Sequence, residues 1–128
     1  MPDKHIYEYA AIRVVPRVER GEFLNVGVIL FCKSLAFLDM RYIISEERLK
    51  ALYREIDIAD IRCHLESFEK ICKGEYSGGP IALLDLASRF RWLTAKRSTI
   101  IQSSEVHPGL SPDPVQTLEK LFSELVIS

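Results

Sequence analysis

Three cysteines in 128 residues are too few, and too scattered, to staple a fold. Cys32, Cys63 and Cys72 are odd in number and lack the close spacing of a zinc or redox motif. Each is expected as a small buried apolar residue in a reducing compartment, the cytoplasm. Charge is scarcely biased: 17 cations against 18 acids leave a net charge of −1, which offers no general attraction to a polyanion. A nucleic-acid role would therefore need a local patch. The most apolar stretch, residues 23–32, is interrupted by Asn25 and is much shorter than the roughly 20 residues a membrane helix takes. The opening Met1-Pro2-Asp3-Lys4-His5 leads into alternating residues instead of a continuous apolar segment, so no secretory leader is expected. The chain also lacks a phosphate-cradling Gly-x-x-x-x-Gly-Lys, a dinucleotide fingerprint, a His-Glu-x-x-His and a Gly-x-Ser-x-Gly nucleophile elbow. No two histidines stand at metal-ligand spacing, so neither a metal nor a cofactor is expected.

What is present is an ordinary globular composition, 48% hydrophobic and 27% charged. A chain of this length buries about two-thirds of its unfolded surface, enough for a single domain over residues 1–128 around one core. Residues 6–15 are rich in Ile, Val, Tyr and Ala and close at Pro16, which reads as a strand. Residues 23–32 follow with a two-residue period that puts Leu24, Val26, Val28, Leu30 and Cys32 on one apolar face. A third strand over 35–44 places Ala36, Leu38, Met40, Tyr42 and Ile44 together, with Asp39 and Arg41 pointing away. These form an antiparallel three-stranded meander with one face on a core.

The period then changes. Ser45 caps a helix with Glu46 and Glu47 in its first turn, and Asp57 caps a longer one whose stripe is Ile61, Leu65, Phe68 and Cys72, with Gly74 just past its end. Pro80 opens a loop-to-helix transition into a helix over 81–93, residues 96–104 read as a further strand, and 106–109 as loop. Asp113 caps a final helix with Pro114 at its first position, Gln116 completing a capping box, and Val115, Leu118, Leu121, Phe122 and Leu125 as its stripe. Strands first and helices later is the order of an α+β fold, an antiparallel sheet with helices covering one face.

Two stretches could carry chemistry. The first hairpin holds Arg13, Arg17, Arg20, Glu22, Asn25 and Gly27. If Arg13, Asn25 and Gly27 share a face, the glycine leaves a gap beside an amide and a guanidinium, suited to a carboxylate or phosphate. The bland alternative is that Asn25 ties down the loop, Gly27 admits a packed aromatic, and the arginines pair with Glu8, Glu19 and Glu22. The second stretch contains Arg89, Arg91, Trp92, Arg97, Ser98 and Thr99, within a segment, 86–104, of four cations and no acid. It could hold a phosphate or stack a base, or be cations favoured by a helix C-terminus with Trp92 in the core. His107, between Glu105 and Asp113, is a conceivable general base and more often an exposed loop residue.

The run from Tyr9 through Pro16 and Gly21 to Phe31 resembles the opening of a bacterial family catalogued as a domain of unknown function, DUF 3037. Arg89-Phe90-Arg91-Trp92-Leu93-Thr94-Ala95 with Arg97-Ser98-Thr99 resembles its second signature, and Val106-His107-Pro108-Gly109-Leu110 with Asp113-Pro114 its third. Lys96 stands where many relatives carry proline. The resemblance implies a small stand-alone bacterial protein, names no activity, and suggests a kinase-like protein partner. Its motifs single out Arg13, Arg20, Glu22, Asn25, Gly27, Arg89, Arg91, Trp92, Arg97, Ser98, Thr99 and His107.

Three functions remain open. The leading expectation is a non-catalytic interaction or accessory protein. The second is a phosphate- or nucleotide-binding module or enzyme in which Arg13, Arg91 and Arg97 hold the anion, Trp92 stacks, and Glu22 or His107 moves a proton. The third is a nucleic-acid-associated protein using the 86–104 patch. Whether the two stretches converge on one concave surface separates a site from a dispersed set of surface charges.

Overall fold

Alternating apolar residues build three strands, β1 (His5–Val14), β2 (Leu24–Cys32) and β3 (Phe37–Tyr42), joined as the expected antiparallel meander. The computed structural model describes residues 3–128; Met1 and Pro2, which open the segment read as lacking a leader, lie outside the described residues. Ser45 caps α1 (Glu46–Leu52) by accepting from the Arg48 N–H, and Asp57 caps α2 (Ile58–Lys73) by accepting from the Asp60 N–H. Gly74 ends α2 in the left-handed region at φ 69°, where a side chain would be strained.

Three of the elements expected beyond this point need correction. The helix expected over 81–93 is split: Pro80–Leu83 forms a short 3₁₀ turn, Leu84 is extended, and α3 runs only over Leu86–Leu93. Asp85 causes the break, because its carboxylate accepts the Ser88 N–H at 2.7 Å and starts a new helix. The strand expected over 96–104 shrinks to β4 (Ile101–Ser103). Side chains there take up local backbone groups, Thr99 Oγ1 donating to the Ile101 carbonyl and Gln102 Nε2 to the Thr99 carbonyl. The loop expected over 106–109 is instead part of β5 (His107–Ser111). Pro108 and Gly109 read as a turn, yet an edge strand tolerates a proline that donates nothing to a ladder.

The sheet order is β3-β2-β1-β4, with β5 also on β1, all antiparallel. β4 and β5 share one edge of β1: β4 lies against Ile12–Val14 and β5 against His5–Tyr9. On β2 the register slips, Ile12 pairing with Gly27 and Arg13 with Asn25, so Val26 is an extra, bulged residue. The bulge swaps faces. Val28, Leu30 and Cys32 lie on one side, whereas Val26 joins Ile29 and Phe31 on the other, so the single apolar face expected from alternation is broken in two.

Both faces of the sheet are covered, not one. The larger core gathers Leu49 of α1, Ile61, Leu65, Phe68 and Cys72 of α2, and Phe90 and Leu93 of α3 against Ala10, Ile12, Val14, Ile29 and Met40. The smaller core packs Leu118 and Phe122 of α4 (Pro114–Phe122), and Val126, against Val28, Leu30 and Cys32. Asp113 caps α4 through the Val115 and Gln116 N–H groups, but the capping box is closed differently from expectation: the Asp113 N–H donates to the Ser111 hydroxyl, not to Gln116. After Phe122 the helix widens into a π turn over Ser123–Ile127. Two of its carbonyls are met from outside, Leu125 by Asn25 Nδ2 and Val126 by Arg48 at 2.7 Å.

Among the described residues no helix is long and apolar enough to cross a membrane. Cys32 and Cys72 are buried as expected, while Cys63 is exposed on α2. Burial pushes the Cys72 thiol up to about 12. Since the thiolate is the reactive form, alkylation of the native protein at mildly alkaline pH should modify Cys63 and spare Cys72 until the chain unfolds. Mass mapping of the alkylated peptides checks this; Cys72 modified as fast as Cys63 would contradict the packing described.

Candidate functional site

β1 and β2 place Arg13 directly opposite Asn25, and β4 places Gln102 on its other side, so the three share a face of the sheet. The Arg13 guanidinium lies 3.9 Å from the centre of the Phe23 ring. Its Nε is buried and, among the described residues, meets no acceptor; Asn25 Oδ1 is likewise buried without a donor. Desolvation pushes the Arg13 pKa down, with no carboxylate to offset it. Gly27 does not complete this face. It pairs with Ile12 and Tyr42, and its Cα hydrogens point at the backbone of β3, so the gap expected beside Arg13 is filled by a neighbouring strand.

Most of the other marked side chains are satisfied locally. Arg20 pairs with Glu22 at 2.7 Å at the hairpin end, beside Leu52 and Tyr53. Arg89 donates to the carbonyls of Leu84 at 2.8 Å and Cys72 at 3.5 Å, tying the end of α2 to the start of α3. Arg91 grips Glu8 of β1 with both terminal nitrogens, at 3.2 and 3.5 Å. Trp92 is not core: it is 37% exposed, edge-on to Phe68, with the Arg97 guanidinium 4.5 Å from its ring centre. Arg97 also donates to the Trp92 carbonyl, so the indole face that could stack a base is already covered. Thr99 serves the local turn. His107 pairs with Tyr9 across β5, its ring 5.4 Å from the tyrosine ring. Tyr9 lies four residues from Arg13, roughly 13 Å along the strand, which separates His107 from the arginine it was to serve.

The marked residues therefore divide between two places. Arg91 enters a broad open cleft of about 810 Å³ at the N-terminal end of β1, lined by Lys4, Ile6, Glu8, Phe31, Lys33 and Ala87 among others. Arg13, by contrast, meets the end of α3 and the segment after it. It lines a cleft of about 430 Å³ with Thr94, Lys96, Ser103, Ser104, Glu105 and Val106. Lys96 and Ser103 also line an adjoining cleft of about 420 Å³ with Arg97, Ser98 and Gln102. Convergence of the two sequence stretches is thus real for Arg13, Arg97 and Ser98, and absent for Arg20, Glu22, Arg89, Arg91, Trp92 and His107.

The sequence marks Lys96 only as one of the four cations of 86–104, and gives no role to Gln102, Ser103 and Ser104 in the second place or to Lys4, Ile6 and Lys33 in the first. The tandem serines carried a weak signal. Ile6 and Leu110 are cross-strand partners, 68% and 63% exposed, a bare apolar pair that no local pattern distinguishes from a buried one. Among the described residues no three His, Cys, Asp or Glu side chains come close enough to hold a metal ion.

The chain belongs to the family described as protein of unknown function (DUF3037), whose model matches residues 9–126. No curated protein and no solved structure matches it.

Proposed function

We propose that this protein is a non-catalytic interaction protein that docks an acidic, amphipathic segment of a partner in the cleft at the N-terminal end of the sheet. The observation that carries this reading is the cleft's lining. Ile6, Phe31 and Ala87 give it an apolar floor, and Lys4, Lys33 and Arg91 ring it with cations. The one carboxylate there, Glu8, is already held by Arg91, which leaves Lys4 and Lys33 to face an incoming acid. An apolar floor with a charged rim is the usual anatomy of a docking site for a short segment, and the exposed Ile6–Leu110 pair extends the apolar surface along the sheet.

The test is a comparison of two baits in the native host, the wild type and the double variant Ile6→Asp, Lys33→Glu. Both positions are exposed, so the variant should keep the wild-type melting curve. A partner recovered in stoichiometric amount by the wild type and lost by the variant is expected, with cross-links from Lys4 or Lys33 to an acidic segment of it. A kinase-like protein is the first candidate to test directly. Identical recoveries from both baits would sink the reading, and so would a wild type that self-associates through this face in sedimentation.

A further inference from the structure

We infer that the groove running along β4, from Arg13 past Lys96 to Arg97, binds a phosphate group, as inorganic phosphate or a small phosphate monoester. The groove consists of the two adjoining clefts, joined through their shared Lys96 and Ser103. Three cations line it against one acid, Glu105, and none of the three forms an ion pair with a carboxylate among the described residues. That sets them apart from Arg17, Arg20, Arg41 and Arg91, each of which has an acidic partner.

A guanidinium withdrawn from water without a counter-charge is held at a cost, and an anion that supplies both charge and acceptors relieves it. Arg13 and Arg97 are both in that condition. Burial lowers the pKa of each, and desolvation is the whole cause in both cases. The buried Arg13 Nε–H, lacking an acceptor, is one donor waiting for such a ligand. The hydroxyls are unequal. Thr94, Ser103 and Ser104 spend their protons on the carbonyls of Phe90, Ser104 and Glu105. Ser98 is exposed and has no such partner among the described residues, so it can donate to a phosphate oxygen.

The ligand's class follows from what the groove offers. A dianion matches three cations better than a carboxylate does. An extended nucleic acid would need a longer positive track and free aromatic faces, whereas Trp92 is covered by Arg97 and Glu105 closes one end of the groove.

Phosphorus NMR titrations at constant ionic strength, with inorganic phosphate in one arm and phenyl phosphate in the other, test the inference. A saturable shift or broadening is expected in at least one arm, and the tighter arm identifies the source. Lys96→Gln and Ser98→Ala change exposed side chains and should leave the fold intact. Lys96→Gln should weaken binding about tenfold, as loss of one charge-assisted bond does. Arg13→Gln should abolish binding, but it can also disturb the sheet, so the exposed variants decide. No saturation in either arm by about 10 mM, the range of a weak but specific site, would overturn the inference. So would binding that Lys96→Gln leaves unchanged, or a single-stranded oligonucleotide that binds the same groove with a steep loss in salt.

Discussion

Replacing Phe90 with alanine is expected to remove about 3–5 kcal/mol of stability, the usual range for a fully buried aromatic. Phe90 is completely buried, and its ring lies 5.3 Å from that of Phe31 on β2. It is the anchor of α3, which has only eight residues. Helices shorter than about 12–15 residues are marginal on their own, so α3 persists because Phe90 and Leu93 are buried beneath it. Truncation leaves a cavity between that helix and the sheet, and the rigid strand floor cannot collapse to fill it. Against a total stability of about 5–15 kcal/mol for a domain, the variant should be close to unfolding at physiological temperature. Urea denaturation checks this: the midpoint should fall sharply with the slope unchanged. Phe90→Leu should recover a large part of the loss. A loss below about 1 kcal/mol for Phe90→Ala, the level of an ordinary surface change, would mean that α3 is held by something other than this ring. Its polar ties to the rest of the molecule are Arg89 to the end of α2 and Arg91 to Glu8.

The features legible in the sequence are those whose cause is local. Ser45, Asp57 and Asp113 could be named as caps because a cap and its N–H partner lie within three residues of each other. Gly74 could be placed because a helix ending in the left-handed region wants glycine at that one position. Asp85 is of the same kind and was outweighed by Pro80, a stronger but misleading start signal. The bulge at Val26 adjoins Gly27, an isolated strand glycine of the kind that marks a bulge or close packing, but which residue is extra is decided only by the pairing of β2 with β1. Its consequence, apolar residues serving two different cores, could not be read from an alternation that looks unbroken. The second helical layer follows from the same fact: with both faces of β2 apolar, α4 had somewhere to pack.

The candidate site divides along the same line. Arg20 and Glu22 are two residues apart, near enough for the sequence alone to suggest their pairing. Glu8 and Arg91 are 83 apart; the sequence offers Glu8 as a partner for the hairpin arginines, yet it neutralises the other stretch. Arg97 and Trp92 were marked for their chemical types, but only the fold shows the guanidinium lying over the indole and withdrawing it from use. Ser103 and Ser104 look like ordinary surface residues until the fold sets them in one cleft with Lys96 and Arg13.

Gly27→Ala should cost about 3 kcal/mol, at the upper end for overpacking one methyl group, even though alanine can adopt the backbone conformation found there. Gly27 is not among the residues with positive φ, so the cost is purely one of space. A Cβ at this position would lie 2.6 Å from the Arg41 carbonyl oxygen and 2.8 Å from Tyr42 Cβ. Both belong to the backbone or the root of a side chain on β3, and neither can rotate away. Relief requires β3 to move off β2, which disturbs the pairs from Gly27–Tyr42 to Cys32–Phe37 and the Met40 and Leu38 packing behind them. Gly109→Ala provides the control. Its Cβ would approach the Tyr7 ring even more closely, but that obstacle is the far end of a partly buried side chain, which can shift without moving a strand. Contact distance alone would rank Gly109 as the more sensitive site; the stiffness of what is contacted reverses the order. Urea midpoints for the two variants, with amide exchange of residues 37–42 in Gly27→Ala, decide the question. Faster exchange confined to β3 is the expected result, and a Gly109→Ala more damaging than Gly27→Ala would show that the Tyr7 ring is held more stiffly than β3.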